Sequence, residues 1–294
     1  MRPPRQGTYL HPVSASDSPS TPAPAPPPCI GVFDSGLGGL SVLREIHARL
    51  PHIPLHYIAD SAWCPYGGRE PEEIRRRAHA LATHLVARHA HMLVVACNTA
   101  TMAAIDSLRT EFTLPIIGME PAVKPAAAHT RSGVIGVLAT GAALAGEKFH
   151  QLVTRHAASV KVVTRPCPGL VERVESGDLG SPDLLADLES HTRHLLCAGA
   201  DVIVLGCTHY PFLRPALSRI LPADITIIDT GSAVARQVEN RLSEAPALIA
   251  TQAPPAADSP PIDLHIETTG DPPHIQTLAP KLWPATAAAK FSGL

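Results

Sequence analysis

The sequence predicts an α/β protein of two similar lobes, each a mainly parallel sheet flanked by helices, related by a pseudo-twofold axis, with the functional site in the cleft between them. Three observations lead there. Two short apolar runs, Val94-Val95-Ala96 and Val202-Ile203-Val204-Leu205, each end on a cysteine followed by small polar residues, Cys97-Asn98-Thr99 and Cys207-Thr208-His209. Buried parallel strands read this way, and open α/β sheets bind ligands at the carboxyl ends of their strands. The second observation is a repeat, because Ile-Gly-Val at 30–32 recurs 105 residues later at 135–137. The third is its spacing: 66 positions separate Gly31 from Cys97, and 71 separate Gly136 from Cys207. Strand, glycine turn and thiol strand therefore come in the same order twice.

Residues 1–28 are rich in Pro, Ser and Ala and end in Pro26-Pro27-Pro28, a composition that buries too little surface to fold, so a disordered or polyproline-like arm is expected. Order begins with a strand at Cys29–Phe33, the turn Asp34-Ser35-Gly36-Leu37-Gly38-Gly39 and a helix from about Ser41 to Leu50. A strand at Leu55–Asp60, a turn at Cys64–Gly68 and a helix near Glu72–Arg88, with two glutamates in its first turn, lead into the first thiol strand. A helix near Ala100–Glu111 and a strand at Pro115–Gly118 complete the first series. The second repeats it with strands near 133–139, 160–163, 202–205 and 225–228, and helices near 144–155, 182–198 and 213–220. Residues 243–261 are Ala- and Pro-rich and read as a loop insertion, followed by an exposed or edge strand at Ile262–Glu267 and a last helix near His274–Leu282. These readings give one lobe from 29–124 plus about 229–294, and a second from 125–228.

With 294 residues and 45% apolar residues, the chain is large enough for two cores. A net charge of −2 gives no reason to expect nucleic acid or an anionic membrane as partner, and no apolar run reaches membrane-spanning length. The N-terminus lacks the apolar segment of a secretory signal, which points to the cytoplasm. Six cysteines without any C-x-x-C pair then read as reduced thiols, without zinc-site spacing. Cys29, Cys167 and Cys197 have no chemical context and are assigned to structure; Cys64, beside Pro65-Tyr66-Gly67, lines the pocket mouth or fills core.

Two facing thiols suit one reaction in particular. Inverting a carbon centre next to a carboxylate requires a base on one face and an acid on the other. Cysteine, with an ordinary pKa of about 8.5, can be tuned to either task. Asp34 and Ser35 stand at the first strand's end, where a carboxylate could hold a substrate ammonium or take a proton from Cys97. His209, two positions after Cys207, could lower that thiol's pKa or shuttle its proton. Asn98, Thr99 and Thr208 offer neutral donors, and the Tyr66-Gly67 turn offers backbone N–H groups to a carboxylate. None of the five lysines ends a thiol strand, so nothing points to a pyridoxal site and no cofactor is expected.

Four ordered motifs, Asp34–Val42, Pro65-Tyr66-Gly67, Ala96-Cys97-Asn98-Thr99-Ala100 and Gly206-Cys207-Thr208-His209-Tyr210-Pro211, together resemble the bacterial glutamate racemase family. The resemblance extends over roughly residues 29–242, and Thr268-Thr269-Gly270-Asp271-Pro272 resembles the family's C-terminal segment. It implies cofactor-independent interconversion of L- and D-glutamate for peptidoglycan, with Cys97 and Cys207 as alternating base and acid. It further implies that Asp34 assists Cys97, that His209 and Glu175 assist Cys207, and that Asp34, Ser35, Tyr66, Gly67, Asn98, Thr99, Thr208 and His209 hold the substrate. Glu172 stands close enough to Glu175 in sequence to be its rival. A homodimer is the family's expected assembly.

Other readings are weaker. Gly36-Leu37-Gly38 after a strand, with Asp60 about 20 residues on, imitates a dinucleotide fingerprint, but Ser41 occupies the third glycine position and Asp34 would face a pyrophosphate. A two-lobed binding or redox-sensing protein would respond at the thiols yet exchange no α-proton. An aspartate racemase of the same superfamily is disfavoured because His209-Tyr210-Pro211 follows the second thiol where aspartate enzymes usually carry an acidic residue. Among sixteen histidines, His52 with His56 and His191 with His194 have helix-like spacing but no third ligand, so solvated histidine and no metal are expected. Arg75-Arg76-Arg77 after two glutamates reads as an exposed salt-bridged helix face.

Overall fold

A computed structural model of the chain describes residues 27–250 and 263–294. The expected arm at 1–28 falls almost wholly outside the described residues, as do residues 251–262 of the predicted insertion. The first series comprises β1 (Cys29–Asp34), α1 (Leu40–Arg49), β2 (Leu55–Ala59), α2 (Pro71–Ala87), β3 (Ala90–Val95), α3 (Asn98–Glu111) and β4 (Ile116–Ile117). The second comprises α4 (Val123–His129), β5 (Val134–Ala139), α5 (Gly141–Ala145), α6 (Glu147–His156), β6 (Lys161–Pro166), α7 (Leu170–Glu175), α8 (Pro182–Cys197), β7 (Val202–Leu205), α9 (Arg214–Ile220) and β8 (Thr226–Ile228). The chain then runs through α10 (Gly231–Arg241), α11 (Pro246–Ile249), β9 (Leu264–Thr268), α12 (Pro272–Leu282) and β10 (Lys290–Gly293).

Two all-parallel sheets result, one in the order β10-β9-β2-β1-β3-β4 and the other β6-β5-β7-β8. The first four strands of each series follow one scheme, second-first-third-fourth. In both, the order reverses between the first and third strands, and that reversal opens a crevice at their carboxyl ends. Strands β1 and β7 are buried along their whole length because helices cover both faces, which is why they read as continuous apolar runs.

The repeated glycines have one packing role. A Cβ on Gly31 would lie 2.9–3.1 Å from Ala90, Leu93 and Leu85, and one on Gly136 would lie 2.7 Å from Leu195. Their absence lets the last turns of α2 and α8 press onto the two sheets. Helix α2 starts on Pro71, carries Glu72 and Glu73 in its first turn and buries Ile74, Ala78, Leu81, Ala82 and Leu85 on one stripe. Helix α8 starts on Pro182, and the Ser181 hydroxyl accepts the Leu184 N–H at 3.1 Å.

Several expectations change. The strand expected at an edge, β9, lies inside the sheet between β2 and β10, because the unforeseen β10 covers its far side. Part of the predicted loop insertion is helical, since Pro246–Ile249 turns as α11 and buries Leu248. His56 is not solvated, because its strand faces α2 and holds it 6% exposed. Arg77 turns away from the exposed face and pairs with the buried Asp60, while Arg75 does pair with Glu72.

Candidate active site

Each thiol stands just beyond a strand that its sheet places next to the switch point. Cys97 follows β3 and caps α3, its Sγ accepting the Ala100 N–H at 3.5 Å. Cys207 follows β7. Both line one narrow cavity, about 10 Å³ in volume, together with Ser35, Tyr66, Gly67, Asn98, Thr99, Thr208 and His209. A broader open depression at the β4 edge, around Arg109, Ile117 and Gln237, contains neither thiol, so size alone does not select the site.

Behind each sulfur runs a chain of polar groups ending in a carboxylate. On one side the Cys97 thiol donates to Ser35 Oγ at 3.9 Å, and that hydroxyl donates to Asp34 Oδ1 at 3.5 Å. On the other, Cys207 Sγ is 3.7 Å from His209 Nδ1, and His209 Nε2 is 2.6 Å from Glu175 Oε1. Glu175 also accepts the Leu37 N–H at 2.6 Å. Glu172 is exposed on the same short helix, so Glu175 is the carboxylate that meets His209. The two chains touch: Thr208 Oγ1 donates to Asp34 Oδ2 at 3.2 Å, and Ser41 Oγ donates to the Thr208 carbonyl at 2.8 Å.

Burial sets the charges. It pushes the Cys97 thiol well above its ordinary pKa, helped by the Asp34 carboxylate and opposed by the Ala100 N–H. Asp34 is itself raised by burial, against the pull of His209 and of the hydrogen bonds it receives. Burial disfavours charge on His209 too, but hydrogen bonds to Cys207, Cys64 and Glu175 outweigh it and raise its pKa well above the usual histidine value. One thiol thus stands beside a carboxylate that favours its protonated form, and the other beside an imidazolium.

Asp34, fully buried, and Glu175 stand behind Cys97 and His209 and do not border the cavity. The Tyr66 hydroxyl turns away to Asp60 at 2.5 Å, where Arg77 and Thr269 also bind, so Asp60 anchors this turn and is not free for a ribose. Asn98 is the reverse case: it is buried, lines the cavity, and neither end of its amide has a hydrogen-bond partner. Such a group is costly unless a ligand meets it. Gly38 fits against the histidine, since a Cβ there would lie 2.3 Å from His209 Nδ1.

Thr140, Pro65, Val171 and Gly206 also line the cavity and were not foreseen. Thr140 bonds Thr99 across the two sheets at 3.1 Å. The repeat could have found it, because aligning Ile30 with Ile135 places Thr140 opposite Ser35. Cys64 sits behind His209 instead of merely filling core, and burial holds its thiol up at about 11 against that histidine's pull.

Paired α/β sheets that each present a thiol to one cavity suit an isomerase, and residues 30–238 match the Asp/Glu/Hydantoin racemase family. The chain belongs to that family and is an amino-acid racemase. It is 51% identical over 263 residues to a glutamate racemase of Stutzerimonas stutzeri, covering 89% of this chain and 96% of that one. It is 54% identical over 224 residues to a glutamate racemase of Ectopseudomonas mendocina, covering 76% and 85%. Among solved structures, the Escherichia coli glutamate racemase in complex with L-glutamate and the activator UDP-MurNAc-Ala superposes with a TM-score of 0.79 at 32% identity, covering 92% of this chain and 98% of that one.

Proposed function

We propose that the chain interconverts L- and D-glutamate and so supplies D-glutamate for peptidoglycan. The observation that carries this reading is the single cavity bordered by both sulfurs and by the unpartnered Asn98 amide. One thiolate removes the α-proton, breaking the C–H bond and forming S–H, while the electron pair left on Cα spreads into the substrate carboxyl group. The opposite thiol then gives its proton to the other face of Cα and becomes the thiolate. Configuration inverts, and the roles of the sulfurs exchange.

His209, backed by Glu175, serves Cys207 in accepting and returning its proton. Ser35 and Asp34 serve Cys97 in the same way. Ser35, Tyr66, Gly67, Asn98, Thr99, Thr208 and His209 form the walls that hold glutamate, and Asp34 acts through Cys97 and Thr208. This chemistry uses only side chains of the chain, so it calls for no cofactor. The bodies that close on substrate are read as 29–124 with 229–294, and 125–228. A cytoplasmic homodimer completes the reading; no helix among the described residues is long and apolar enough to cross a membrane, and light scattering of the purified protein checks the assembly.

Circular dichroism of each enantiomer of glutamate, and then of aspartate, incubated with protein and no added cofactor tests the proposal. Glutamate is expected to lose its signal with wild-type protein and to keep it with Cys97→Ala or Cys207→Ala, a loss of at least about 10²- to 10⁴-fold. Wild-type racemisation by either variant would remove the paired roles, and faster loss of aspartate signal would move the substrate assignment.

A further inference from the structure

On the α2 side of the first sheet, away from both thiols, lies a second cluster of ionisable groups. Register pairs His56 of β2 with His265 of β9, and Glu267 follows two residues on, on the same face. The two imidazoles stack with centroids 4.7 Å apart. Glu267 is 1% exposed. Helix α2 closes the cluster from above: His84 Nε2 stands 2.6 Å from Glu267 Oε2, and Arg88, just past the helix end, places Nη1 3.3 Å from Oε1. Ligand atoms of His56, His265 and Glu267 lie within 4.8 Å of one another.

A buried carboxylate with histidines around it could be a closed hydrogen-bond network, but here the network is incomplete. His56 Nε2 is buried without any hydrogen bond, although Glu267 Oε2 is only 3.3 Å away. A buried imidazole nitrogen left without a hydrogen bond beside a carboxylate offers a position that a cation would fill. Ser292 Oγ holds His265 Nε2 at 2.9 Å, the kind of outer hydrogen bond that orients a ligating imidazole.

We propose that His56, His265 and Glu267 form a site for one divalent transition metal ion of the zinc class, with water in the fourth position, which ties β2 and β9 together. Imidazole and carboxylate donors in a four-ligand set suit zinc better than calcium or magnesium, which prefer oxygen alone. Binding competes with the His84 contact to Glu267 Oε2. Arg88, half exposed, swings from Oε1 into solvent, since two cations cannot share that carboxylate cheaply. The ion lies outside the catalytic cavity, so the inference does not depend on the substrate.

Cobalt(II) titration of the full chain tests it, because cobalt reports its donors. The expected result is one ion per chain with visible d–d absorption of a four-coordinate site, displaced by zinc, and no thiolate-to-cobalt charge-transfer band. His56→Gln and His265→Gln are each expected to weaken binding by about 100-fold or more. Arg88→Gln, at an exposed position that leaves the core untouched, is expected to tighten it several-fold. Absence of saturable binding by wild-type protein would overturn the proposal. So would a sulfur charge-transfer band abolished by Cys64→Ser, which would put the ion on the Cys64, Glu175 and His209 group beside the active site, and so would an affinity unmoved by Arg88→Gln.

Discussion

At the scale of single residues the two sulfurs differ in what stands behind them. The Cys97 thiol is held up by burial and by Asp34, whereas Cys207 borders an imidazolium. In the direction that starts with Cys97 as base, the rate is therefore expected to climb with pH through neutrality, as that thiol begins to ionise. Asp34→Asn removes a negative charge from beside Cys97, lowers its pKa and should move this limb to lower pH. An unmoved or raised limb in the kcat profile would mean that Asp34 does not act on Cys97. In the proposed mechanism Glu175 positions His209. Its replacement by Gln is expected to reduce kcat by about 10²-fold in the direction that uses Cys207 as base, with little change in KM. A change confined to KM would assign Glu175 to substrate binding.

Elements hold these residues still. Leu195 in α8 packs where Gly136 leaves room, so Leu195→Ala is expected to cost about 2–5 kcal/mol, and Gly136→Ala to cost about 1–3 kcal/mol by overpacking. Urea unfolding midpoints read both. The turn into β5 is tied by Asp201, which accepts the N–H groups of Arg131 and Ser132 at 2.7 and 2.9 Å and the Thr130 hydroxyl. Burial alone would raise its pKa, but those donors hold it well below the ordinary carboxylate value. A depressed folded value gives stability that is present above the unfolded pKa, about 3.9, and is lost as pH falls through the folded one. Asp201→Asn should cost about 1 kcal/mol near neutrality, limited by solvent screening, and progressively less below pH 4. A cost that persists unchanged at pH 2 would contradict the charge argument.

On the scale of the whole molecule, the cavity between the two thiols exists only because two sheets meet. Ser41 and Thr208, Asp34 and Thr208, and Thr99 and Thr140 are hydrogen bonds between the first series and the second. A ligand between them binds the folded state alone. Glutamate at about 100 times its Kd should add about 2.7 kcal/mol, seen as a rise of several degrees in Tm; no rise at saturation would place its site elsewhere. All ten strands described begin at or after Cys29, so a chain starting at residue 27 is expected to keep wild-type turnover.

Both thiols, the polar residues after them and the doubled order of strands were legible in the sequence, because a buried parallel strand must be apolar and must end where its side chains meet solvent. Local chemistry of that kind leaves a pattern along the chain. Glu175 could be named only alongside Glu172, since helical spacing does not tell which of two carboxylates turns towards a histidine 34 positions away; the fold turns Glu175 inward and leaves Glu172 outside. Likewise β9 reads as an edge strand from its alternation. Only the pairing with β10, contributed by the last residues of the chain, makes it internal. The buried cluster at His56, His84, His265 and Glu267 had no sequence signature at all, because its members come from three elements as many as 211 residues apart. Periodicity records what each segment buries, while the partners that meet there are decided when the sheets assemble.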